Sequence, residues 1–599
     1  MEQQVKGKWK KYTLKTILSV NRYVYKCNPI TYIVYILLNV LGVVQTVVML
    51  KYAEFTTNAI YRLFTKTSRG FREEVNTIIL FGVILAVLYL FSLVKQIILK
   101  KLTLQLNYNF EKDLNLKLSK IQWDYFEHHE VSVKIHEVKI KALASMMKLI
   151  DSIMFYISTF ISAFVYGFFL SQINIFVVAI YLALIVISTK LAGKVFDEVR
   201  TIWEEIQPYS QKQNYFFSIS GSKIGHQEYR FNRLFSFVRD KWDNYFDEEY
   251  KLRIKIFKKY EITLQSARII LNMPYIIMLI YVSYEIVIGK HELGFLMLCQ
   301  AMFNNIVNTF GSVQSYISND KVEAKFVKSF FEVMELKEEP EIEDTEAISG
   351  EVEFNKVEYY YPQSEIKALN GINLRIKVGE KIAIVGHNGS GKTTFTNLLM
   401  SLTENFSGNI RIDHSDPMES GFSKLRNSVS CILQDFSQYE ITIRENIEFG
   451  NIHRSFTDDE IIGLLEKVGL KDHVLSLPQG INTNLGQLDS GIELSKGQWQ
   501  RLAIARLLAN DKATIWILDE PTAYLDPLSE IEIYDLIYEL AENRTVFFIS
   551  HRLGFAKKAH RIVVFENGKI VESGVHGELM KTDGHYAKMY KNQESWYAA

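Results

Sequence analysis

Residues 381–394 read KIAIVGHNGSGKTT, and this stretch decides the fold of the second half of the chain. The run 381–385 predicts a buried strand, and the segment 386–393 that follows it matches the pattern G-x-x-x-x-G-K-[ST]. Glycines at these positions let backbone N–H groups surround phosphates, and a helix that begins directly after the loop favours an anion. The stretch therefore predicts an α/β nucleotide-binding domain in which the Thr393 hydroxyl ligates Mg²⁺. The loop residues expected to contact the nucleotide are Gly386, Asn388, Gly389, Ser390, Gly391, Lys392, Thr393 and Thr394.

Two further predicted strands end in side chains that suit the same chemistry. Residues 514–518 (TIWIL) precede Asp519, and an acid that faces a phosphate loop can hold Mg²⁺ through water. Glu520 follows directly, and a second acid at this place can orient or deprotonate the attacking water. Residues 545–549 (TVFFI) lead to His551, which we expect at the γ-phosphate; the alternative is a histidine with a purely structural role.

The first half of the chain predicts a membrane domain. Its long stretches with almost no charged residue are 30–50, 77–94, 152–189, 269–289 and 294–318. A crossing helix needs about 17–25 residues, so the third stretch is too long for one helix, and its polar break at 171–174 predicts a turn between two. The sequence therefore predicts six transmembrane helices.

Charge predicts the orientation of this domain. Residues 1–29 are rich in lysine, which by the positive-inside rule places the N-terminus in the cytoplasm, and six crossings return the C-terminus there. The charged segments 95–151 and 190–268 then lie inside and are expected to continue the membrane helices. Short helices near 129–139 and 209–218 are candidates for contacts that transmit motion. The predicted domains are the N-terminal segment 1–29, the membrane domain 30–333, an acidic linker 334–348 and the α/β domain 349–599.

Composition argues against two other kinds of protein. The chain has 68 basic and 68 acidic residues, whereas a protein whose main partner is nucleic acid normally carries a surplus of positive charge. Its three cysteines (Cys27, Cys299 and Cys431) are far apart in sequence and cannot form a disulfide framework.

Residues 494–498 (LSKGQ) resemble the LSGGQ signature of ATP-binding cassette (ABC) transporters. With six predicted spans ahead of one cassette, the whole chain resembles an ABC exporter half-transporter. The resemblance implies an α-helical membrane domain of six transmembrane helices, fused to an α/β P-loop nucleotide-binding domain. It also implies an ATPase that drives transport, with ATP and Mg²⁺ as cofactors.

The resemblance also implies roles for single residues. Tyr361 corresponds to the aromatic residue that stacks on adenine, and Gln434 corresponds to the glutamine that reaches Mg²⁺ and takes part in catalysis. Asp519 corresponds to the metal-binding acid, whereas Glu520 and His551 correspond to the catalytic pair. The residues implied to contact ATP in or near the partner's site are Ser495, Gly497, Gln498 and Asp526.

Three segments depart from the family pattern. Lys496 replaces the usual glycine of the signature, and we expect an altered ATPase rather than a lost one. Ala523 and Tyr524 replace the usual Ser-Ala of the D-loop. The segment 486–489 replaces a motif that carries a cross-contacting glutamate in the family.

In this family two cassettes hold two ATP molecules between them, so the resemblance implies an obligate dimer. Since all catalytic positions are filled, we predict a homodimer; a heterodimer is the alternative. The predicted location is the bacterial plasma membrane, with many crossings, membrane lipid as a partner and both termini in the cytoplasm.

The cargo is the least constrained prediction. Residues 433–447 and 497–500 resemble those of bacterial exporters of lantibiotic-type peptides, so we predict a peptide-like substrate. The first span begins near residue 30, which leaves no room ahead of it for a leader-peptidase domain. Gln300, Asn304 and Asn308 share one face of the last span, either as a polar wall for a peptide or as interhelical hydrogen bonds.

Two other functions stay open. One is export of a lipid, a lipid-linked glycan or a drug. The other is a sensor or immunity component that uses the same ATPase without pumping.

Overall fold

The structure, a computed structural model, divides into two compact units. The helical unit comprises Met1–Leu118 and Val133–Glu335, and the nucleotide-binding unit comprises Ser119–Ser132 and Leu336–Ala599. The residues that the structure describes are 2–65, 70–171, 176, 183, 205–206, 208–219, 223–339, 348–361, 364–400, 402–403, 405–413, 428–487, 491–521, 527–541, 543–550 and 553–597.

Long α-helices make up the helical unit. They are α1 (Glu2–Cys27), α2 (Pro29–Phe64), α3 (Phe71–Lys120), α5 (His129–Glu137), α6 (Leu143–Ser171), α7 (Lys223–Phe231), α8 (Phe235–Val287) and α9 (Leu293–Met334). A π-helical turn, Val138–Ala142, joins α5 to α6, and residues 208–219 are also helical. The short helix α4 (Asp124–Glu127) follows α3 in the chain and belongs to the nucleotide-binding unit.

Local sequence sets the start of α2. The Asn28 side chain accepts a hydrogen bond from the backbone N–H of Thr31 at 2.9 Å, and Pro29 occupies the first turn. Asparagine is a favoured N-cap, and proline suits the first helical position because its missing N–H would have no partner there.

Three helical stretches in the described part of the chain are long and apolar enough to cross a membrane: Pro29–Phe64, Phe71–Lys120 and His129–Phe169. In α3 many large apolar side chains point outward; Leu80 is 60% exposed and Ile97 is 67% exposed. Such a surface suits lipid rather than water. The predicted fourth span lies almost wholly outside the described residues, so six crossings stay a prediction.

The segment 51–76, between the first two predicted spans, is largely helical. Helix α2 continues to Phe64, and α3 already begins at Phe71. Hydrophobicity marks where a helix enters lipid, whereas a helix ends only where its backbone hydrogen bonds stop. Residues 51–64 contain neither glycine nor proline, so nothing in them interrupts the helix.

The nucleotide-binding unit contains two sheets. One is a three-stranded antiparallel sheet of order β2-β1-β4, and the other has six strands of order β5-β6-β7-β3-β8-β9. The strands are β1 (Val352–Tyr360), β2 (Lys367–Ile376), β3 (Lys381–Gly386), β4 (Phe406–Ile412), β5 (Val429–Ile432), β6 (Ile515–Asp519), β7 (Thr545–Ile549), β8 (Arg561–Glu566) and β9 (Lys569–Gly574).

The described part of this unit also contains further α-helices. They are α10 (Lys392–Leu399), α11 (Ile443–Glu448), α12 (Asp458–Lys467), α13 (Lys471–Ser476), α14 (Lys496–Ala509), α15 (Pro527–Leu540), α16 (His576–Thr582) and α17 (His585–Tyr597). Strands β3, β6 and β7 are parallel neighbours in the middle of the large sheet, and every residue of each is buried. Their carboxyl ends therefore meet at one edge, where parallel sheets place ligands.

The tip of the first predicted inner loop is part of the nucleotide-binding unit. Ile121 forms an antiparallel bridge with Glu338, and the backbone N–H of Glu339 donates to the Lys120 carbonyl at 2.7 Å. The segment Ser119–Ser132 overlaps the predicted transmission region 129–139 only in its last residues. The sequence reading missed α4, because a four-residue helix has no apolar periodicity to detect.

Candidate nucleotide-binding site

A cavity of about 530 Å³ opens at the carboxyl edge of β3 and β6. It is lined by Tyr361, Ala368, Asn388, Gly389, Gly391, Lys392, Thr393, Thr394, Gln434, Asp519 and Glu520. Apart from Ala368, every lining residue was predicted from motifs that are up to 159 positions apart (361 to 520). Ala368, on β2, was missed because a small residue on a strand carries no chemical signal.

Packing requires glycine at both ends of the phosphate loop. A Cβ atom on Gly386 would lie 2.3 Å from the Phe565 carbonyl oxygen, and one on Gly391 would lie 2.8 Å from the Ala368 carbonyl oxygen. Gly391 also has φ of 107°, which side chains disfavour. The loop is thus seated against β2 and β8, and its backbone faces the cavity.

Two polar groups of this loop fit a bound anion. The Ser390 hydroxyl is buried and has no hydrogen-bond partner among the described residues, which is costly unless a ligand supplies one. The Lys392 ammonium is also buried and donates to the carbonyls of Gly386 and His387 at 2.9 and 3.0 Å. Burial lowers the pKa of Lys392, and the Asp519 and Glu520 carboxylates oppose that change. A triphosphate would supply the negative charge that this ammonium and hydroxyl favour.

Asp519 and Glu520 differ in environment although they are adjacent. Asp519 ends β6 and is buried, and burial followed by the charge of Glu520 raises its pKa to about 6, while Lys392 opposes the rise. Glu520 has a positive φ of 49°, an uncommon conformation for a residue other than glycine. Its backbone N–H donates to the Ile549 carbonyl at 2.9 Å, which anchors the turn to β7. Strained residues that the surrounding structure holds in place are frequent at functional sites.

Gln434 contacts one of the two acids. Its Nε2 donates to Glu520 Oε2 at 3.1 Å. Gln434, Thr393 and Asp519 all line the same cavity, and their side chains carry an amide oxygen, a hydroxyl and a carboxylate. These oxygen donors are of the type that Mg²⁺ prefers.

The signature segment begins helix α14. The Ser495 hydroxyl accepts a hydrogen bond from the Gln498 backbone N–H at 3.3 Å, and the Gln498 side chain accepts from the Ser495 N–H at 2.9 Å. This capping box leaves the Ser495 hydroxyl proton able to donate to an anion. Ser495, Gly497 and Gln498 do not line this chain's own cavity. Asp526, His551, Ala523 and Tyr524 lie outside the described residues, as do residues 488 and 489.

Known proteins resemble this chain over different lengths. A family model described as "ABC transporter" matches residues 369–523. The subtilin transport ATP-binding protein SpaT of Bacillus subtilis is 30% identical over 544 residues, which cover 87% of this chain and 86% of that protein. The nisin transport ATP-binding protein NisT of Lactococcus lactis subsp. lactis is 29% identical over 545 residues, covering 87% and 88%.

Two further matches cover different shares of the chain. An ATP-dependent lipid A-core flippase of Methylobacillus flagellatus is 40% identical over 244 residues, which cover 41% of each chain. A solved structure of a bacterial Atm1-family ABC exporter with ATP bound superposes with a TM-score of 0.75 at 20% identity, covering 93% of this chain and 98% of that chain. The predicted combination of helical domain and α/β domain is confirmed by this likeness.

Proposed function

Because this chain belongs to the ABC transporter family, we propose that it is an exporter whose cargo is a peptide. It has the exporter fold, and its cassette makes it an ATPase. The choice of a peptide as cargo rests on the share of this chain that each relative matches. The subtilin and nisin transporters match 87% of the chain, whereas the lipid flippase matches 41%. Since cassettes are shared by transporters of unrelated cargo, a match that extends into the membrane domain is the more informative one.

The surface of α9 supports a polar cargo. Gln300, Asn304 and Asn308 follow one another at four-residue spacing, and all three are exposed on the chain. Among the described residues no other side chain forms a hydrogen bond with these amides, so the interhelical alternative receives no support within one chain. Amides facing lipid would be costly, whereas a peptide backbone offers them donors and acceptors. We name these three residues the amide stripe and propose that it lines the path of the cargo.

The second candidate is a lipid. It is favoured by the 40% identity to the lipid A-core flippase, although that match covers less than half of either chain. A lipid needs apolar contact over most of its length, which the amide stripe does not offer.

We propose the following roles in the nucleotide site. The phosphate loop and Lys392 hold the phosphates, Tyr361 stacks on adenine, and Glu520 orients or deprotonates the attacking water. Thr393, Gln434 and Asp519 would hold Mg²⁺, which when bound neutralises charge on the phosphates.

Half-transporters of this type generally function as dimers, and we propose a homodimer. Ser495, Gly497 and Gln498 of one copy would complete the site of the other. This explains why they lie outside their own chain's cavity although the signature segment suits an anion. We further propose the bacterial plasma membrane as its location, with both termini in the cytoplasm.

Reconstitution tests the cargo. Full-length protein in proteoliposomes should show an ATPase that secreted-type peptides stimulate, and ATP should drive labelled peptide into inside-out vesicles. Substitution of the amide stripe, Asn304→Leu with Asn308→Leu, should reduce peptide flux more than basal ATPase. Ile280→Ala, at an apolar exposed position of α8, is a control for lipid-facing changes. Stimulation by lipids or hydrophobic drugs, with no response to peptides, would favour the second candidate.

A further inference from the structure

We propose that Glu127 and Tyr359 position Tyr361, so that the tip of the first inner loop sets the affinity of the site for the nucleotide base. The inference rests on the proposed role of Tyr361 as the residue that stacks on adenine. Glu127 ends α4, and Tyr359 lies on β1 two residues before Tyr361. All three belong to the nucleotide-binding unit.

The first step is the attachment of α4 to the nucleotide-binding unit. The Asp124 carboxylate accepts a hydrogen bond from the Asn405 side chain. Before the helix, the Lys120 carbonyl accepts from the Glu339 N–H at 2.7 Å, and Ile121 bridges Glu338. These bonds hold the approach to α4 and its first residue, and Glu127 lies one helical turn further on.

The second step is the bond between Glu127 and Tyr359. The Tyr359 hydroxyl donates to Glu127 Oε2 at 3.1 Å, across 232 positions of sequence. The Tyr359 side chain is buried, and both burial and the Glu127 charge raise the pKa of its hydroxyl, which therefore remains a donor. A hydrogen bond to a charged acceptor is stronger than one between neutral groups, so Glu127 fixes the orientation of the Tyr359 ring.

The third step is the contact between the two tyrosine rings. Tyr361 directly follows the end of β1, and the rings of Tyr359 and Tyr361 meet edge to face with centroids 5.2 Å apart and an interplanar angle of 83°. The Tyr361 hydroxyl is also within 2.9 Å of the Thr394 hydroxyl, at the start of α10. The ring of Tyr361 is thus held by Tyr359 on one side and by the phosphate-loop helix on the other.

This arrangement has a functional consequence. The segment that carries Glu127 continues directly from α3, one of the long apolar helices. A displacement of that segment would release Tyr359 and so loosen the stacking position of Tyr361. Glu127 and Tyr359 are therefore positioning residues: neither is among the residues that line the cavity, and their effect should be confined to the base.

The test uses full-length protein in lipid nanodiscs and displacement of a fluorescent ATP analogue. Tyr359→Phe removes the hydroxyl and keeps the ring, and Glu127→Ala removes the acceptor from the half-buried end of α4. Both should weaken displacement by ATP about three- to fivefold and leave displacement by inorganic tripolyphosphate unchanged, because tripolyphosphate has no base to stack. The apparent KM for ATP should rise by the same factor while kcat stays within twofold.

Two controls and one separate variant complete the experiment. Tyr360→Phe removes a hydroxyl from the exposed face of the same strand and should change neither displacement. Glu127→Gln keeps an oxygen acceptor for Tyr359 and should restore most of the ATP affinity. Tyr361→Ala tests the stacking role itself and should weaken ATP more than either positioning variant does.

The outcomes separate the inference from the site on which it rests. If Tyr361→Ala leaves ATP affinity unchanged, the stacking role is wrong and the inference fails with it. If Tyr361→Ala weakens ATP but Tyr359→Phe and Glu127→Ala do not, the site stands and the positioning role is wrong. Equal loss of ATP and tripolyphosphate affinity in the positioning variants would indicate general damage to the fold and would also overturn the inference.

Discussion

Lys392 is buried, and among the described residues its ammonium donates hydrogen bonds only to carbonyls of its own loop, at 2.9 and 3.0 Å. A bound triphosphate would offer charged acceptors in place of these neutral ones. Lys392→Ala should therefore weaken ATP binding by about 1.5–3 kcal/mol, or roughly 10- to 150-fold. Equilibrium binding of a fluorescent ATP analogue measures the effect, with Lys569→Ala, at an exposed position of β9, as the control. Unchanged affinity in Lys392→Ala would remove the lysine from the phosphate site.

Glu520 is the acid expected to act on the attacking water. Glu520→Gln keeps the shape of the side chain and its place beside Gln434, but the amide cannot accept a proton. ATP binding should stay near normal, while hydrolysis should fall roughly 10²- to 10⁴-fold, the usual contribution of a general base. Phosphate release under single-turnover conditions measures the rate. Near-normal turnover would show that another group does this work.

Lys496 is exposed in the first turn of α14, at the place where the family usually has glycine. A positive charge at a helix N-terminus is unfavourable to the helix by about 0.3–1 kcal/mol but attractive to an anion beyond it. Lys496→Gly should therefore change the ATPase rate by less than about fivefold, and Lys496→Arg should match the original chain. Loss of ATPase in the glycine variant alone would mean that the charge is required.

Helices α14 and α12 begin with the same kind of capping box, so α12 can serve as a control for changes to the cap of α14. Ser495 with Gln498 caps α14, and Thr457 with Glu460 forms the same capping box on α12. Removing either hydroxyl with alanine should lower the free energy of unfolding by about 0.5–2 kcal/mol. Only Ser495→Ala should also lower the ATPase rate, because only that hydroxyl is proposed to donate to a partner's nucleotide. Thermal unfolding and ATPase assays of the two variants measure these effects. Equal ATPase rates in both variants would contradict the proposal that the Ser495 hydroxyl donates to a partner's nucleotide.

Elements with local chemical signals were predictable from the sequence, and those that depend on distant contacts were not. The strand 381–385 and its glycine loop carry their geometry in residue types, so their function could be predicted directly. Ala368 lines the same cavity only because β2 packs beside the loop. Glu127 meets Tyr359 across 232 positions, and no local pattern reports such a pairing. Helix ends were also unpredictable: the first predicted span ends at residue 50, whereas α2 continues to Phe64.

At the scale of the whole molecule, the two units have the compositions expected of an ATP-driven exporter: one is rich in long apolar helices and the other is an α/β nucleotide-binding domain. The cassette identifies the energy source, because its loop, acids and glutamine converge on one cavity. Helix α3 of the helical unit has exposed apolar side chains that suit lipid, and we propose that the amide stripe on α9 lines the path of the cargo. The family and the ATPase could be read from motifs; the cargo could not, because membrane helices recognise solutes by shape and by a few scattered polar groups.

Peptide export can be tested by comparing producer cells that carry the original chain with producer cells that carry Glu520→Gln. Mass spectrometry of medium and cytosol would compare every peptide between the two strains. We expect a peptide that disappears from the medium and accumulates inside the cells with Glu520→Gln. Identical peptides in both strains, with an intact ATPase in the original chain, would contradict peptide export.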